Sequence, residues 1–365
     1  MTFSATDHTA MARALALAAR GLYTTMPNPR VGCVIIRDGI VVGEGWHRQA
    51  GQPHAEIEAL RIAGDAARGA TVYVTLEPCA HHGRTPPCAD ALIAAGVARV
   101  VVAMEDPNPL VAGRGLERLR AAGVPTEHGL MAGEALELNI GFVARMTRGR
   151  PWTRLKAAAT LDGKTALNNG VSQWITGKAA RRDGHRWRAR ACAVLTGIGT
   201  VLADDPQLNV REIPCERQPW RVLIDARLDV PATARILAGG QCLIATASDD
   251  HAKIAILEGL GAEVVSLPNP VGKVDLQRLM QELGRRAFNE VHVEAGFKLN
   301  GSLMRESCID ELLLYLAPKL IGDNAQGLFN LVAPESLDQA TCLDVRDLRM
   351  LGKDLRIIAR PAQKA

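Results

Sequence analysis

The sequence predicts an α/β protein with two domains, of which the first is a three-layer α/β/α sandwich. Helical and strand patterns alternate over residues 9–122, which is typical of this class. A charged stretch with glycine and proline, residues 147–151, then interrupts the pattern before short apolar strands resume. Because 365 residues suffice for two separate cores, we place the domains at residues 1–149 and 150–365.

In the first domain, each element follows from the spacing of apolar residues and from the turn residues between them. Asp38-Gly39, between two apolar runs, is typical of a two-residue hairpin turn. Cys79 follows a strand end and Cys88 begins a helix, which are the places where α/β proteins gather ligands. We predict helices over 9–20, 55–63, 89–95 and 116–122, and strands over 31–36, 40–43, 70–76 and 99–104.

The second domain alternates short apolar strands with loops and helices. No G-x-G-x-x-G follows a strand, so a Rossmann dinucleotide fold is not supported. A basic helix is expected over 179–189, with most of Arg181, Arg182, His185, Arg186, Arg188 and Arg190 on a solvated face. We predict strands over 152–158, 193–196, 221–224, 242–245, 263–266 and 291–294.

One histidine, one glutamate and two cysteines carry the most informative pattern of the chain. His54-Ala55-Glu56 precedes Pro78-Cys79 and Cys88, in the H-x-E…P-C…C order of zinc deaminases. A catalytic zinc keeps three protein ligands and leaves one position for water, so His54, Cys79 and Cys88 are the predicted ligands. Glu56 is the predicted proton shuttle, because hydroxide attack on an amine-bearing ring carbon requires a base that also returns the proton.

The spacing of the two cysteines departs from the commoner pattern. Most zinc deaminases carry Pro-Cys-x-x-Cys, whereas eight residues separate Cys79 from Cys88 here, stiffened by Pro86 and Pro87. The string TLEPCAHHGRTPPC, residues 75–88, resembles the deaminase half of the bifunctional riboflavin-biosynthesis deaminase–reductase family. The strings NPRVGCV, residues 28–34, and GWH, residues 45–47, match the same family.

Three further residues near this motif have weaker interpretations. Cys33 lies in an apolar run and is interpreted as a core residue. His81 and His82 are interpreted as loop residues near the pocket, the alternatives being substitute ligands or substrate contacts. Iron or another metal is the alternative to zinc for the thiolate set.

The second half of the chain also resembles this family, in family order. The chain has two glycine-bearing turns, residues 196–206 and 293–302. Taken alone, each turn is as compatible with an ordinary strand–turn–helix junction as with phosphate binding. Together with residues 156–164 and 172–176 they resemble the family's reductase half, which has a dihydrofolate-reductase-like fold and uses NADPH. By the same resemblance, the first domain is cytidine-deaminase-like.

The resemblance implies a role for each matching position. Lys156 would polarise the sugar carbonyl, and Arg188 and Arg211 make physical sense as clamps for a 5′-phosphate, which guanidinium binds through paired hydrogen bonds. The substrate would be held by Ser172, Arg188, Leu208, Arg211 and Glu294. NADPH would be contacted by Ala158, Trp174, Thr200, Asp204, Ala226, Gly296, Phe297, Lys298, Leu299, Asn300, Gly301 and Ser302.

The implied function is the deamination of a small-molecule pyrimidine ribosyl phosphate, followed by NADPH-dependent reduction of its ribosyl chain to ribityl. A net charge of +4 and few aromatic residues argue against a nucleic-acid deaminase, the first alternative, and against membrane binding. The second alternative is a non-catalytic metal- and nucleotide-binding module with one or both sites inactive. The intact His-x-Glu and both thiols argue against it in the first domain, whereas the second domain has no equally decisive chemical group. Scattered cysteines and the absence of a signal peptide predict a cytoplasmic protein, and a homo-oligomer is expected for the fold.

Overall fold

The computed structural model describes residues 3–80, 86–109 and 111–362, and the chain divides into two compact units, Met1–Gly149 and Arg150–Ala365. His81 and His82 therefore lie outside the described residues. Within the described ranges, every helix is too short or too polar to cross a lipid bilayer. Each unit has its own sheet and is considered by itself below.

The first unit is built on a five-stranded sheet in the order β2-β1-β3-β4-β5. The strand β1 runs antiparallel to both of its neighbours, whereas β3, β4 and β5 are parallel. The strands are β1 Gly32–Arg37, β2 Ile40–Trp46, β3 Thr71–Val74, β4 Arg99–Val102 and β5 Thr126–His128. The helices are α1 Ala5–Ala18, α2 Ala55–Ala63, α3 Cys88–Ala95, α4 Arg114–Ala121, α5 Ala132–Leu138 and α6 Ile140–Arg148.

Both faces of this sheet carry a hydrophobic core, because successive side chains of a strand point to opposite faces. On one face, Val34 and Val101 pack with Met11 of α1. On the other, Ile35 packs in a cluster with Leu92 of α3 and residues of α2 and α4. The predicted three-layer α/β/α sandwich is therefore confirmed, and Cys33 lies fully buried in the second of these cores, as expected.

The second unit is built on a nine-stranded sheet in the order β11-β10-β9-β8-β12-β6-β13-β16-β15, with a separate two-stranded ribbon of β7 and β14. The first seven strands of this order, from β11 through β13, are all parallel to one another. The last two strands, β16 and β15, are each antiparallel to the strand before them. The strands are β6 Trp152–Thr160, β7 Lys164–Ala166, β8 Ala193–Gly197, β9 Trp220–Ile224, β10 Cys242–Thr246, β11 Ala262–Ser266, β12 Glu290–Val293, β13 Glu311–Ala317, β14 Gln326–Gly327, β15 Leu343–Leu351 and β16 Asp354–Pro361. The helices are α7 Lys178–Arg190, α8 Ile198–Asp204, α9 His251–Gly259, α10 Leu276–Arg285 and α11 Phe297–Arg305.

The basic helix α7 differs from the sequence-based expectation of a mostly solvated face. Of the six basic residues singled out there, only Arg182 and Arg186 are exposed, and His185 is buried. The reason is that α7 covers a sheet face that carries acidic side chains. Arg190 forms an ion pair with the buried Glu290 of β12, and Arg188 forms one with Glu294 just beyond it. The prediction for this helix face was wrong because the acidic partners lie a hundred residues away in sequence.

Candidate functional site

The three predicted metal ligands converge in the first unit. His54 is the residue that caps the N-terminus of α2, Cys79 follows β3, and Cys88 is the first residue of α3. Their ligand atoms all lie within 4.8 Å of one another. His54 Nδ1 is 3.3 Å from Cys88 Sγ and 3.7 Å from Cys79 Sγ. A tetrahedral zinc, with Zn–N of about 2.1 Å and Zn–S of about 2.3 Å, would separate such donors by about 3.6 Å.

The two thiols of the cluster differ in how readily they lose a proton. The pKa of the Cys79 thiol is lowered, first because the Cys88 side chain donates a hydrogen bond to its sulfur, and further because His54 lies beside it. The Cys88 backbone N–H donates to the same sulfur at 3.3 Å. The hydrogen bond with Cys79, together with burial, raises the pKa of the Cys88 thiol, so a bound metal would have to displace its proton. One imidazole nitrogen and two sulfurs form a donor set that fits zinc.

Glu56 lies in the first turn of α2, two residues after His54, and is only 3% exposed. Burial raises the pKa of its carboxyl group to about 7, and the neighbouring His54 opposes that rise. A carboxyl group in this state can hold or release a proton near neutral pH, which is the property expected of a proton shuttle.

Glu77 fixes the loop that carries Cys79, a role that the sequence did not suggest. Its buried carboxylate accepts four backbone N–H groups, from Asp106, Gly113, Gly115 and Leu116, at 2.8 to 3.3 Å. Gly115 is required here, since a Cβ at that position would lie 1.9 Å from the Pro78 carbonyl oxygen. The only hint in the sequence was the position of Glu77 directly before Pro78-Cys79.

A second histidine supports the first, and it also lacked a predicted role. His47 is buried and packs edge-on against His54, with ring centroids 5.5 Å apart. Its Nδ1 lies 3.0 Å from the Pro53 carbonyl oxygen, and its Nε2 lies 3.0 Å from the Asn28 side-chain amide nitrogen. The Asn28 and His47 motifs found in the sequence therefore meet beside the metal-ligand cluster.

In the second unit, the two glycine-bearing turns meet at the carboxyl edge of the sheet. Strands β8 and β12 are adjacent and parallel, so the helices that follow them, α8 and α11, begin side by side. Gly197 and Gly296 are the N-caps of these helices. A Cβ added at Gly296 would lie 3.8 Å from Thr200 Oγ1, so glycine leaves room for a group to approach both turns. The backbone N–H groups at the N-termini of these two helices fit the phosphates of NADPH.

The other residues predicted to contact NADPH differ in how far their side chains are exposed. Ala158 on β6 and Ala226 beyond β9 are half-buried, Asp204 is exposed, and Trp174 is exposed with the Arg181 guanidinium 4.5 Å above its ring. Phe297, Lys298, Leu299 and Ser302 lie in the first two turns of α11 and are half-buried or exposed.

Two residues of α11 are instead buried against the segment that leads to Asn330. The Asn300 side chain donates to the Leu328 carbonyl oxygen at 3.1 Å. A Cβ at Gly301 would lie 2.2 Å from the Asn330 carbonyl oxygen, so only glycine permits this approach. These contacts give Asn300 and Gly301 a packing role that the sequence motif did not reveal.

Glu294 is the centre of the predicted substrate site. Its carboxylate forms a bidentate ion pair with Arg188, in which Arg188 Nη2 lies 2.9 Å from Glu294 Oε2. Lys156 Nζ lies 3.8 Å from the same oxygen. Burial acts to raise the pKa of the Glu294 carboxyl group, but Arg188 and Lys156 outweigh it and hold that pKa well below its usual range. Arg188 also donates to the Asn209 carbonyl oxygen at 2.9 Å.

The remaining predicted substrate residues lie near this cluster or at the surface. Leu208 is buried in a left-handed conformation at φ 52°, which turns the chain just before Asn209. Arg211 is exposed and donates to the Asn209 side chain at 3.1 Å. Ser172 is half-buried, and the structure gives no contact that joins it to Glu294.

Two buried histidines flank Glu294, and sequence reasoning missed both. His292 Nε2 lies 3.4 Å from Glu294 Oε1, and burial lowers the pKa of its imidazole. His185 on α7 accepts the Arg211 backbone N–H on Nδ1 at 3.3 Å. Burial, with Arg188 and Arg211 nearby, lowers the pKa of His185 to about 4, so this ring is neutral at pH 7. The period-two spacing of His292 and Glu294 was the available signal, since it places both on one face.

Comparison with known protein families gives two matches that together span most of the chain. Residues 151–355 match the model described as "RibD C-terminal domain". Residues 4–104 match the model described as "Cytidine and deoxycytidylate deaminase zinc-binding region".

Individual relatives match over nearly their full length. The chain is 49% identical to the riboflavin biosynthesis protein RibD of Escherichia coli strain K12, covering 96% of this chain and 98% of that one. It is 44% identical to the protein of the same name from Haemophilus influenzae, covering 99% of each. Among solved structures, Acinetobacter baumannii RibD (form 1) superposes with a TM-score of 0.90 at 45% identity, covering 98% of this chain and 99% of that one.

A second solved structure is more distant in sequence but similar in fold. It is the structure of a diaminohydroxyphosphoribosylaminopyrimidine deaminase/5-amino-6-(5-phosphoribosylamino)uracil reductase from Thermotoga maritima. It superposes with a TM-score of 0.87 at 33% identity and covers 98% of this chain and 99% of that one.

Proposed function

The chain belongs to the RibD family of riboflavin-biosynthesis proteins, and we propose that its two reactions are divided between residues 1–149 and 150–365. It is a bifunctional enzyme with a zinc-dependent deaminase activity and an NADPH-dependent reductase activity. The predicted family, fold class and cofactors are therefore confirmed. The assignment of individual residues to steps is our proposal, and one observation carries it: His54, Cys79 and Cys88 converge beside the buried carboxyl group of Glu56.

In the first reaction, His54, Cys79 and Cys88 would hold zinc. When bound, zinc supplies a water molecule whose pKa is lowered toward neutrality. Glu56 would take one proton from the attacking water and give it to the ring nitrogen of the pyrimidine, and would then carry the remaining hydroxyl proton to the amine, which leaves as ammonia. The buried position of Glu56 excludes bulk water from this exchange, and its pKa of about 7 lets it act in both directions.

In the second reaction, the turns at Gly197 and Gly296 would receive the phosphates of NADPH, with Ala158, Trp174, Thr200, Asp204 and Ala226 around it. When bound, NADPH supplies the hydride for C1′ of the ribosyl group, which stays bonded to the amine nitrogen while its bond to the ring oxygen breaks. Lys156 would donate a proton to that oxygen as negative charge develops there, so that it becomes a hydroxyl group of the ribityl chain. Glu294 fixes the Lys156 ammonium group, which lies 3.8 Å from it.

The two arginines predicted as phosphate clamps have different surroundings. Arg188 already donates to both carboxylate oxygens of Glu294 and to the Asn209 carbonyl oxygen. Arg211 is exposed and has one bond to the Asn209 side chain. We therefore assign the direct phosphate contact to Arg211, while Arg188 orients Glu294 and Asn209 around the substrate; Ser172 and Leu208 complete the site.

The substrate is a small molecule, for which we propose a diaminopyrimidinone ribosylamino 5′-phosphate, and we propose a cytoplasmic homo-oligomer. All eight cysteines are free in the structure, which supports a reducing compartment. The oligomer is supported by the exposed apolar side chains of β15, which are Leu343, Val345, Leu348 and Met350.

Metal removal tests the division of the reactions between the units. Exhaustive chelation should stop ammonia release, while NADPH oxidation with an already deaminated substrate continues. Survival of both activities in metal-free protein would show that the His54, Cys79 and Cys88 assignment is wrong. Loss of both would contradict the independence of the reductase site from the metal.

A further inference from the structure

The short loop that ends at Arg211 is held by side chains from other parts of the second unit. It belongs to the segment between α8 and β9, residues 205–219, which contains neither helix nor strand. Segments of this length without secondary structure are uncommon in compact domains and are often functional. Leu208 turns the chain in a left-handed conformation, and the backbone of each of the next three residues has a side-chain partner. Residues 208–211 are called the 208–211 loop below.

Gln218 pairs with the backbone of Val210 as a neighbouring strand would. Its side-chain Oε1 accepts the Val210 N–H at 2.8 Å, and its Nε2 donates to the Val210 carbonyl oxygen at 3.0 Å. The preceding residue, Arg217, donates to the carbonyl oxygens of Ala189 and Ala191 at 3.0 and 2.7 Å, so Gln218 is tied to the end of α7. Because both polar backbone groups of Val210 are satisfied in this way, the middle of the 208–211 loop is fixed.

His185 of α7 fixes the last residue of the loop. Its Nδ1 accepts the Arg211 backbone N–H at 3.3 Å, so the ring carries its proton on Nε2 and must be neutral to make this bond. Burial lowers the pKa of the His185 imidazole to about 4, and the positive charges of Arg188 and Arg211 act in the same direction. At pH 7 the ring is therefore neutral and keeps its acceptor nitrogen for Arg211.

These anchors hold the backbone and leave the Arg211 side chain accessible. Arg211 is exposed, and its guanidinium group donates to Asn209 Oδ1 at 3.1 Å. The carbonyl oxygen of Asn209 in turn accepts a hydrogen bond from Arg188 at 2.9 Å. Since the backbone is fixed at three successive residues, the guanidinium group has fewer positions to sample. Binding of a phosphate group then costs less conformational entropy.

We propose that His185 and Gln218 are positioning residues that set the preference of the reductase for a 5′-phosphorylated substrate, by holding the 208–211 loop. Both act through the backbone of Val210 and Arg211, so the phosphate contact itself stays with the Arg211 guanidinium group. The inference rests on the proposed phosphate contact of Arg211, to which it adds the side chains that keep this arginine in place.

The phosphate preference is measured as the ratio of kcat/KM for the deaminated substrate with its 5′-phosphate to kcat/KM for the same compound without it. His185→Leu and Gln218→Leu remove the hydrogen bonds to the loop and keep an apolar side chain in place. Each should lower the ratio by about three- to tenfold, the effect of losing one or two neutral hydrogen bonds. The kcat/KM for the dephosphorylated compound and KM for NADPH should stay nearly constant, because the weakened contact is made to the phosphate group alone.

A conservative variant and a double variant separate positioning from a general structural effect. His185→Asn restores an acceptor, since its Oδ1 can occupy the position of the imidazole Nδ1, and it should regain most of the ratio. In an Arg211→Ala background, His185→Leu should lower the ratio no further, because the side chain that it positions is already gone. Arg182→Leu, exposed on α7, and Gln281→Leu, exposed on α10, are the matched controls and should change nothing.

Circular dichroism of the full chain establishes that each variant is folded, and the exposed position of Gln218 keeps the test valid if the buried change at His185 prevents folding. A ratio that falls in Arg211→Ala but in neither folded leucine variant would leave the phosphate contact standing and overturn the positioning role. An equal loss of kcat/KM with both compounds would overturn it as well. An unmodified chain with the same kcat/KM for both compounds would overturn the phosphate contact of Arg211 itself, and the inference with it.

Discussion

His54 Nδ1 lies 3.3 Å from Cys88 Sγ, although the two residues are 34 positions apart and open different helices. Cys79 Sγ is 3.7 Å from the same nitrogen. Three donors at these distances describe three corners of a tetrahedron of the size that zinc requires. A catalytic zinc leaves its fourth position for water, and Glu56 would act on a water molecule at that position.

Replacing Glu56 with glutamine should lower ammonia release by about 10²- to 10⁴-fold, because the amide cannot accept and return a proton. The zinc content should be unchanged, since Glu56 is not a proposed ligand, and reduction of deaminated substrate should continue. Ammonia assay and metal analysis of the same preparation check both points. Glu58→Gln, on the same helix, is the control and should retain activity; retained deamination by Glu56→Gln would remove Glu56 from the shuttle role.

Replacing Glu77 with glutamine should destabilise the protein by about 1–3 kcal/mol, because buried backbone N–H groups lose a charged acceptor. Its carboxylate accepts four such groups around the Cys79 loop, so zinc retention during dialysis should fall as well. Urea unfolding and metal analysis provide the measurements. Glu117→Gln, at an exposed position on α4, is the matched control. Equal stability and zinc content in both variants would contradict a supporting role for Glu77.

Replacing Arg211 with alanine should raise KM for the phosphorylated substrate of the reductase by about 10- to 100-fold, the effect of one lost hydrogen bond to a charged group. KM for NADPH should stay nearly constant, because Arg211 is not among the residues placed around the cofactor. Steady-state kinetics with each substrate varied in turn separates the two values. Arg186→Ala, exposed on α7, is the control. Equal weakening of both ligands would count against a phosphate contact.

The stability of the second unit should fall as the pH is lowered from about 6.5 to about 4, in part because of His185. Burial lowers the pKa of His185 from 6.5 to about 4, so the unfolded chain binds a proton at a higher pH than the folded chain does. Its contribution is therefore fully present above pH 6.5 and is lost as the pH falls toward 4. In His185→Gln, the free energy of unfolding measured in urea should decrease less between pH 7.5 and pH 5. His47 and His292 are the same in both proteins, so an identical decrease would contradict this contribution.

Local patterns in the sequence were sufficient to predict the secondary-structure elements that carry the metal-ligand cluster. The helix predicted over 55–63 is α2, and the hairpin predicted at Asp38-Gly39 forms with both residues at positive φ. These features depend on residues close in sequence, and so do caps and turns in general. The strands β13, β15 and β16 were not predicted, because β13 is a nearly continuous apolar run and the bulge in β15 breaks its alternation.

Contacts between distant residues explain what sequence reasoning could not reach in the candidate sites. The four N–H groups that bind Glu77 come from positions 29 to 39 residues later. Arg188 pairs with Glu294 across a separation of 106 residues, so a residue expected to contact the phosphate is instead the partner of a half-buried carboxylate. The burial of α7 follows from the same pairing. No local periodicity carries such information.

The most direct test of the account follows ammonia release and NADPH oxidation together, starting from the diaminopyrimidinone ribosyl phosphate. We predict that ammonia appears first and that NADPH oxidation depends on it, since the reductase site acts on the deaminated product. Ammonia without NADPH oxidation would contradict the proposed second activity. The absence of both signals from zinc-loaded protein would contradict the substrate assignment as a whole.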